Sequence, residues 1–161
     1  MTLINELSRN APRTSPGRRV YHDATISTRD GVRVNVQAEV VDGIHHVAGT
    51  LTIGDRTCDP TFFDGPTGAK VGAEVMRAAR LLDARDHEHY SVTLHASDDV
   101  QVHIGIEQVE GVDRVAFGLT MGDHTCDPIF LDGSTGARIG AEIMRAAHLV
   151  ETRPAAPRHF A

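Results

Sequence analysis

This 161-residue chain contains two copies of a Cys-Asp-Pro loop. The cysteine and aspartate side chains of these loops are the ones in the sequence most able to act as a nucleophile or to bind a ligand. The first copy contains Cys58 and Asp59, and the second contains Cys126 and Asp127. A cysteine attacks a substrate as its thiolate, which needs a neighbouring base or positive charge. Here an aspartate follows each cysteine and disfavours the thiolate, and no histidine recurs at equivalent positions of the two copies. The pattern therefore favours small buried cysteines, and we retain all four residues as ligand or interface candidates.

Each copy contains two further aspartates, which are Asp55 and Asp64 in the first copy and Asp123 and Asp132 in the second. Three carboxylates in one segment suit a hard cation or acid–base catalysis. The spacing differs from a regular calcium loop, and Asp64 and Asp132 each stand before a glycine and a helical pattern, which is typical of an N-cap. Zinc-type C-x-x-C spacing and phosphate-binding glycine motifs are absent from the sequence. A histidine-rich stretch at 86–89 is read as a solvated linker. We predict no metal, no cofactor and no catalytic residue, and keep Asp64 and Asp132 as ligand or interface candidates.

The loops belong to a longer internal repeat. Residues 22–86 align with residues 90–154 without a gap, and 32 of the 65 aligned positions are identical. Only 9 identities fall in 22–50, whereas 23 fall in 51–85. Such self-similarity predicts two copies of one structural unit, produced by gene duplication.

Each repeat has the pattern of antiparallel strands followed by a helix. Residues 32–40 alternate between apolar and polar, as a half-buried strand does, and residues 100–108 repeat the alternation. Two further strands are predicted at 24–28 and 47–53. A short fourth strand is predicted through residues 57–58, before a proline that confines it to a sheet edge.

We therefore predict an α+β fold in which each repeat is a three- to four-stranded antiparallel sheet followed by one C-terminal helix. The helices are expected over 67–83 and 135–151, and the two repeats are expected to form a fused dimer with pseudo-twofold symmetry. The predicted organisation is a disordered basic tail at 1–20, repeat 1 at 21–86, repeat 2 at 89–154 and a disordered tail at 155–161.

Each predicted helix carries a second face made of small residues. A glycine inside a helix costs about 1 kcal/mol relative to alanine, so close packing against another backbone is a physical reason for its presence. We expect these faces to pack together or against a partner chain. This helix seam consists of Ala69, Gly72, Ala73, Met76, Ala137, Gly140, Ala141 and Met144.

Composition narrows the class of protein. No apolar run approaches the roughly 20 residues that span a bilayer, and the N-terminal residues lack a signal-peptide core. With only two cysteines, the chain is expected to be cytoplasmic, and its composition is typical of a high-GC bacterium. Residues 1–20 carry a net charge of +3 and residues 151–161 carry +1, so the rest of the chain carries −10. An acidic body repels phosphate backbones, so nucleic acid is an expected partner only through the N-terminal tail.

The order of strands and the closing helices, GAEVMRAARLL and GAEIMRAAHLV, resemble small actinobacterial proteins of unknown function that look like double-stranded-RNA-binding domains. Four strands and a helix, doubled, also resemble the Whirly and coactivator class of single-stranded DNA binders. That class uses basic and aromatic sheet faces. The outward positions here include Gln37, Glu39, Gln101 and Glu107, which do not suit that activity.

The expectation for function is a non-catalytic binding or regulatory protein that binds a protein or a small ligand at the junction of its two repeats. Self-association is a further expectation, and a membrane partner is not expected. Two alternatives stay open at this point. One is nucleic-acid binding through the arginine-rich tail, and the other is a small enzyme with paired sites at the Cys-Asp-Pro loops.

Overall fold

The architecture is α+β, with two antiparallel sheets that are each followed along the chain by one helix, as the sequence predicts. The structure is a computed structural model and describes residues 17–28, 30–84 and 90–153. The tail 155–161 and most of the tail 1–20 lie outside the described residues, as does the histidine-rich stretch 86–89.

Five strands and one helix come from each repeat. The first set is β1 (Arg18–Ser27), β2 (Val32–Val41), β3 (Ile44–Ile53), β4 (Arg56–Thr57), β5 (Thr61–Phe63) and α1 (Gly65–Ala84). The second set is β6 (Ser91–Ser97), β7 (Val100–Val109), β8 (Val112–Met121), β9 (His124–Thr125), β10 (Ile129–Leu131) and α2 (Gly133–Thr152).

In the first sheet the order is β1-β2-β3-β4, with β5 also paired to β3; in the second it is β10-β8-β7-β6, with β9 also paired to β8. The longest hairpin of each sheet turns through two residues with positive φ. These are Asp42 and Gly43, at 50° and 83°, and Glu110 and Gly111, at 52° and 80°. Positive φ at both positions is the tight turn whose twist matches paired strands, and it fixes the register of each hairpin.

Two features of the strands differ from the prediction. The first strand begins at Arg18, inside the predicted tail 1–20, because Arg18 pairs with Val41 at the far end of β2. The segment after Pro60 forms a fifth strand, in which Phe63 pairs with Val47 of β3. The prediction took the proline as the end of strand pairing, but the chain resumes pairing immediately beyond it.

Alternation along the strands gives each sheet a core face and an outer face. On the core face of the first sheet lie Val34, Val36, Ala38 and Val47, and on that of the second lie Val102, Ile104, Val115 and Leu119, all buried. The outer face of the second sheet carries Ser91, Thr93, His103, Gly105, Glu107, Ala116 and Gly118. The outer face of the first sheet carries Asp23, Thr25, Asn35, Gln37, Glu39, Ala48 and Thr50 at the equivalent positions.

Both helices are 20 residues long and begin directly after an aspartate. At the start of α2, the backbone N–H of Thr135 donates to Asp132 Oδ1 at 2.7 Å, which is the geometry of an N-cap. Asp132 is therefore a structural residue of the helix start. Among the described residues, neither helix is sufficiently long and apolar to cross a membrane.

Within the span Thr67–Met144, α1 and α2 pack closely and run antiparallel. A Cβ built on Gly72 would lie 2.8 Å from the carbonyl oxygen of Gly140, and a Cβ built on Gly140 would lie 2.8 Å from that of Gly72. Near the other end of the contact, Gly136 at the start of α2 faces Ala79 towards the end of α1. Neither central glycine leaves room for a side chain, so the two backbones touch at this point.

Contacts divide the chain into two compact units whose limits differ from those of the repeats. One unit is Thr67–Met144, which holds the second sheet, most of α1 and the first part of α2. The other contains the first sheet and the helical residues from Arg145 onwards. The limits predicted from the repeat, 21–86 and 89–154, therefore do not coincide with the compact units. Each helix is divided by these limits, α1 after Pro66 and α2 after Met144.

Candidate functional site: a groove on the second sheet

The outer face of the second sheet contains a groove with a volume of about 440 Å³. The start of β6 forms one side, and the end of β9 with the segment that follows it forms the other, through Thr125, Cys126 and Pro128. The floor is the middle of β7 and β8. All of these residues belong to the compact unit Thr67–Met144.

The groove is open because its floor has almost no side chains. Gly105 pairs with Ala116 across β7 and β8, and Gly118 pairs with His103, which is the next pair on the same face. A Cβ on Gly105 would lie 2.9 Å from the carbonyl oxygen of Tyr90, so this position excludes any side chain. A Cβ on Gly118 would lie 3.6 Å from Pro128 Cβ, which is an ordinary contact. Glycine within a strand is typical of a place where another molecule or backbone approaches closely.

One end of the groove holds a fixed imidazole ring. His103 Nδ1 is hydrogen-bonded to Thr93 Oγ1 at 3.1 Å, and Nε2 is hydrogen-bonded to Thr120 Oγ1 at 2.9 Å. Thr93 belongs to β6 and Thr120 to β8, so the ring bridges the strands on both sides of β7. Because both ring nitrogens are held, His103 has a defined orientation and presents its ring as a rigid surface.

The wall with Cys126 is anchored by backbone pairing. The Cys126 N–H donates to the carbonyl oxygen of Leu119 at 2.8 Å, and β9 pairs with the end of β8. The thiol is partly exposed and forms no disulfide. Of the four Cys-Asp-Pro residues retained as candidates, Cys126 is therefore the one that lines the groove.

Tyr90 lies beside the floor and is hydrogen-bonded to α1. Its hydroxyl donates to Glu74 Oε1. Burial raises the pKa of the Tyr90 hydroxyl, and the hydrogen bond to the Glu74 carboxylate raises it further. Tyr90 therefore stays a neutral donor that joins the sheet edge to the helix.

The equivalent positions of the first sheet are filled by side chains. Gln37 stands where the second sheet has Gly105, and Thr50 stands where it has Gly118. Gln37 is only 7% exposed and accepts a hydrogen bond from Arg18 Nη2 at 3.1 Å. The sequence placed Gln37 and Glu39 on the solvent side; both lie on the outer face, but both are buried, because other side chains cover them.

A charged cluster accounts for the burial of Glu39. Arg18 Nη2 lies 2.7 Å from Glu39 Oε1, and His46 Nε2 lies 2.8 Å from Oε2. Burial raises the pKa of Glu39, but the hydrogen bonds from His46 and Arg18 and the charge of Arg18 outweigh it, so the pKa lies below its usual value. The His46 ring also packs edge-on against Phe62. Because both carboxylate oxygens have partners, the cluster is a structural filling of this face.

The remaining candidates from the sequence are dispersed. Cys58 is exposed, Asp59 is half-buried, and Asp64 and Asp127 are exposed.

Within the helix seam, Gly72 and Gly140 are buried, whereas Ala73 and Ala141 are exposed and so lie outside the tight contact. Met76 and Met144 contact the opposite glycines, and Ala69 and Ala137 are half-buried. The close contact between the helices therefore involves fewer residues than the eight of the predicted seam. Among the described residues, no group of three His, Cys, Asp or Glu is placed to hold a metal ion.

Sequence reasoning missed the groove residues His103, Gly105 and Gly118. The signal was present in the self-alignment, where Gly105 replaces Gln37 and Gly118 replaces Thr50. Identities between the repeats show what the two copies share, whereas these two positions are informative because the copies differ there.

In comparisons with known proteins, no family model matches the chain, and no curated protein matches it.

Proposed function

We propose that this chain is a non-catalytic binding protein and that the groove on its second sheet binds a small ligand. The observation that carries the proposal is the groove of about 440 Å³, in which Gly105, Ala116 and Gly118 of the floor carry no side chain larger than a methyl group. Sites for small ligands are concave and typically about 300–1,000 Å³, with an apolar lining and few polar groups. The proposal places the binding surface within one repeat, whereas the sequence suggested the junction of two.

The contrast between the two sheets supports this assignment. They share strand order and register, but the equivalent positions in the first sheet hold Gln37 and Thr50. In the second sheet, Gly105 is required by the Tyr90 carbonyl oxygen, which would lie 2.9 Å from a Cβ at this position, whereas Gly118 has room for a Cβ. Glycine within a strand is destabilising because it loses more backbone entropy, so Gly118, which no close contact requires, favours a role outside stability.

The polar groups of the groove suit binding better than catalysis. Both ring nitrogens of His103 are hydrogen-bonded to threonine hydroxyls, which limits the ring as a general base. Cys126 is followed by Asp127, whose carboxylate disfavours a thiolate. The groove therefore offers recognition through shape and hydrogen bonds.

The test is a matched pair of substitutions, Gly118→Thr and Thr50→Gly, which exchange the residues at equivalent positions of the two sheets. Gly118→Thr has room for its Cβ and should fold, and it should fill the groove. A screen of fragment-sized compounds by amide NMR should show compounds that shift the signals of Gly105 and Gly118 in the wild type. Those shifts should vanish in Gly118→Thr and persist in Thr50→Gly. Equal shifts in both variants, or no responding compound at all, would refute the proposal.

A further inference from the structure

We infer that β6 is an interface strand through which two copies of this chain pair edge to edge. This surface is separate from the groove, and the inference does not depend on the proposed ligand. β6 (Ser91–Ser97) is the last strand of its sheet, and in the described part of the chain it pairs only with β7. An edge of this kind presents a row of backbone donors and acceptors that another strand can bind.

The backbone of β6 shows which residues are available to a partner. The N–H of Ile106 donates to the carbonyl oxygen of Tyr90 at 3.1 Å, so the polar groups of residue 90 face β7. In an antiparallel pair this direction alternates along the strand. The N–H and C=O groups of Ser91, Thr93 and His95 therefore face away from β7, and all three residues are exposed.

The core face of β6 is incompletely covered at this edge. Val92 and Leu94 lie opposite Ile104 and Val102 of β7. The two β7 residues are buried, whereas both β6 residues are only half-buried. At the position of the first sheet that is equivalent to Leu94, Ile26 is 2% exposed. A position that belongs to the core in one repeat is thus partly open to solvent in the other, and covering it is favourable.

Charge distinguishes this edge from the edge of the first sheet. β1 carries three charged residues, Arg18, Arg19 and Asp23. Its register against β2 also shifts after Val20, as at a bulge, and charges and bulges both protect sheet edges from further pairing. β6 carries no lysine, arginine, aspartate, glutamate or proline. Because the net charge of the chain is −6, two copies repel each other in general, and an uncharged edge strand is where that repulsion is least.

The sequence of β6 is self-complementary about Thr93, and this favours a second copy of the chain as the partner. With a twofold axis at Thr93, Val92 of one copy lies opposite Leu94 of the other on the core face. On the outer face, Ser91 lies opposite His95. Such a pair makes about six N–H···O bonds and joins the two five-stranded sheets into one continuous sheet. Two short strand segments form a smaller interface than that of a stable dimer, so we expect a dissociation constant of about 100 µM.

The experiment measures association of the full chain by sedimentation velocity. The chain should be mostly monomeric at about 10 µM and mostly dimeric at about 1 mM. Amide hydrogen exchange followed by NMR then identifies the strand. At high concentration the N–H groups of Ser91, Thr93 and His95 should exchange more slowly, whereas those of Val92 and Leu94 should not change, because they already face β7.

Thr93→Lys and Thr25→Lys form a matched pair of variants. The two threonines are exposed and occupy equivalent positions of the two edge strands. Each is hydrogen-bonded to the neighbouring strand, Thr93 to His103 and Thr25 to Asn35, so both variants lose a similar contact. Thr93→Lys places two like charges opposite each other at the twofold axis and should weaken the dimer by about fivefold or more. Thr25→Lys should leave the dissociation constant unchanged.

Each outcome decides for or against pairing through β6. A wild-type chain that is monomeric at about 1 mM overturns the inference and leaves the edge to a different partner. If Thr25→Lys weakens the dimer as much as Thr93→Lys, the copies meet elsewhere. Circular dichroism shows whether both variants fold. If Thr93→Lys does not fold, the exchange pattern of the wild type decides, because equal slowing at Thr93 and Leu94 excludes pairing through this edge.

Discussion

Replacing Gly72 with alanine tests the close contact between the backbones of α1 and α2 within the compact unit Thr67–Met144. An added Cβ would lie 2.8 Å from the carbonyl oxygen of Gly140 and 2.9 Å from the backbone nitrogen of Met144. Real Cβ atoms do not approach backbone atoms this closely, so the helices must separate. Overpacking of this kind typically costs about 1–3 kcal/mol, whereas alanine gains about 1 kcal/mol of helix propensity over glycine. The clash is with backbone atoms, which cannot rotate away, so its cost should be about 2–3 kcal/mol and the net loss about 1–2 kcal/mol.

Gly136→Ala is the matched control for this substitution. Its Cβ would lie 3.4 Å from Val115 Cγ2 and 3.5 Å from Ala79 Cβ, which is ordinary van der Waals contact. This variant gains helix propensity without a backbone clash, so it should be neutral or stabilised. Thermal unfolding followed by circular dichroism measures both, at about 2–4 °C per kcal/mol for a chain of this size. If Gly72→Ala is as stable as Gly136→Ala, the close approach of α1 and α2 is wrong.

Three further predictions concern single side chains. Asp132→Ala should lower the free energy of unfolding by about 1 kcal/mol in urea denaturation, because the backbone N–H of Thr135 loses its acceptor. Asp132→Asn should retain most of the wild-type stability, because asparagine is also a good N-cap. Because the pKa of Glu39 is lowered in the folded state, its ionised carboxylate stabilises the fold above the unfolded pKa, and this stabilisation is lost as pH falls through the folded pKa. Glu39→Gln should therefore be less stable than the wild type at pH 7, and its stability should fall less steeply in acid. An unchanged acid profile would contradict the role of the cluster. The raised pKa of Tyr90 means that its stabilisation is present below about pH 10 and is lost as pH rises further, so Tyr90→Phe should remove part of the alkaline loss of stability. A wild-type alkaline profile in Tyr90→Phe would exclude the Glu74 contact.

The fold was predictable wherever a local pattern decides the structure. Alternation over 32–40 gave the strand Val32–Val41, and the predicted helix 67–83 lies within Gly65–Ala84. Strand β5 was missed because a three-residue strand has no period of its own and forms only through pairing with β3. Gln37 and Glu39 were placed on the correct face of β2, but their burial depends on Arg18, a residue that composition assigned to a tail.

The site was less predictable than the fold because it depends on absent side chains. Motif searches look for groups that react or coordinate, and Gly105 and Gly118 do neither. Their effect appears only when β7 and β8 are paired and the two glycines adjoin Ala116 on one surface. The Cys-Asp-Pro loop was a candidate because its cysteine could react, whereas in the structure Cys126 lines the groove as part of its wall.

The limits of the compact units decide where this chain can be divided. The unit Thr67–Met144 contains most of α1, the second sheet and the first part of α2. A polypeptide chain that is cut between residues 84 and 90 therefore loses the connection between α1 and the second sheet of the same unit. The fragment that contains the second sheet should aggregate when it is made alone, because it lacks a helix of its own compact unit. A single repeat is thus not a segment that can be transplanted.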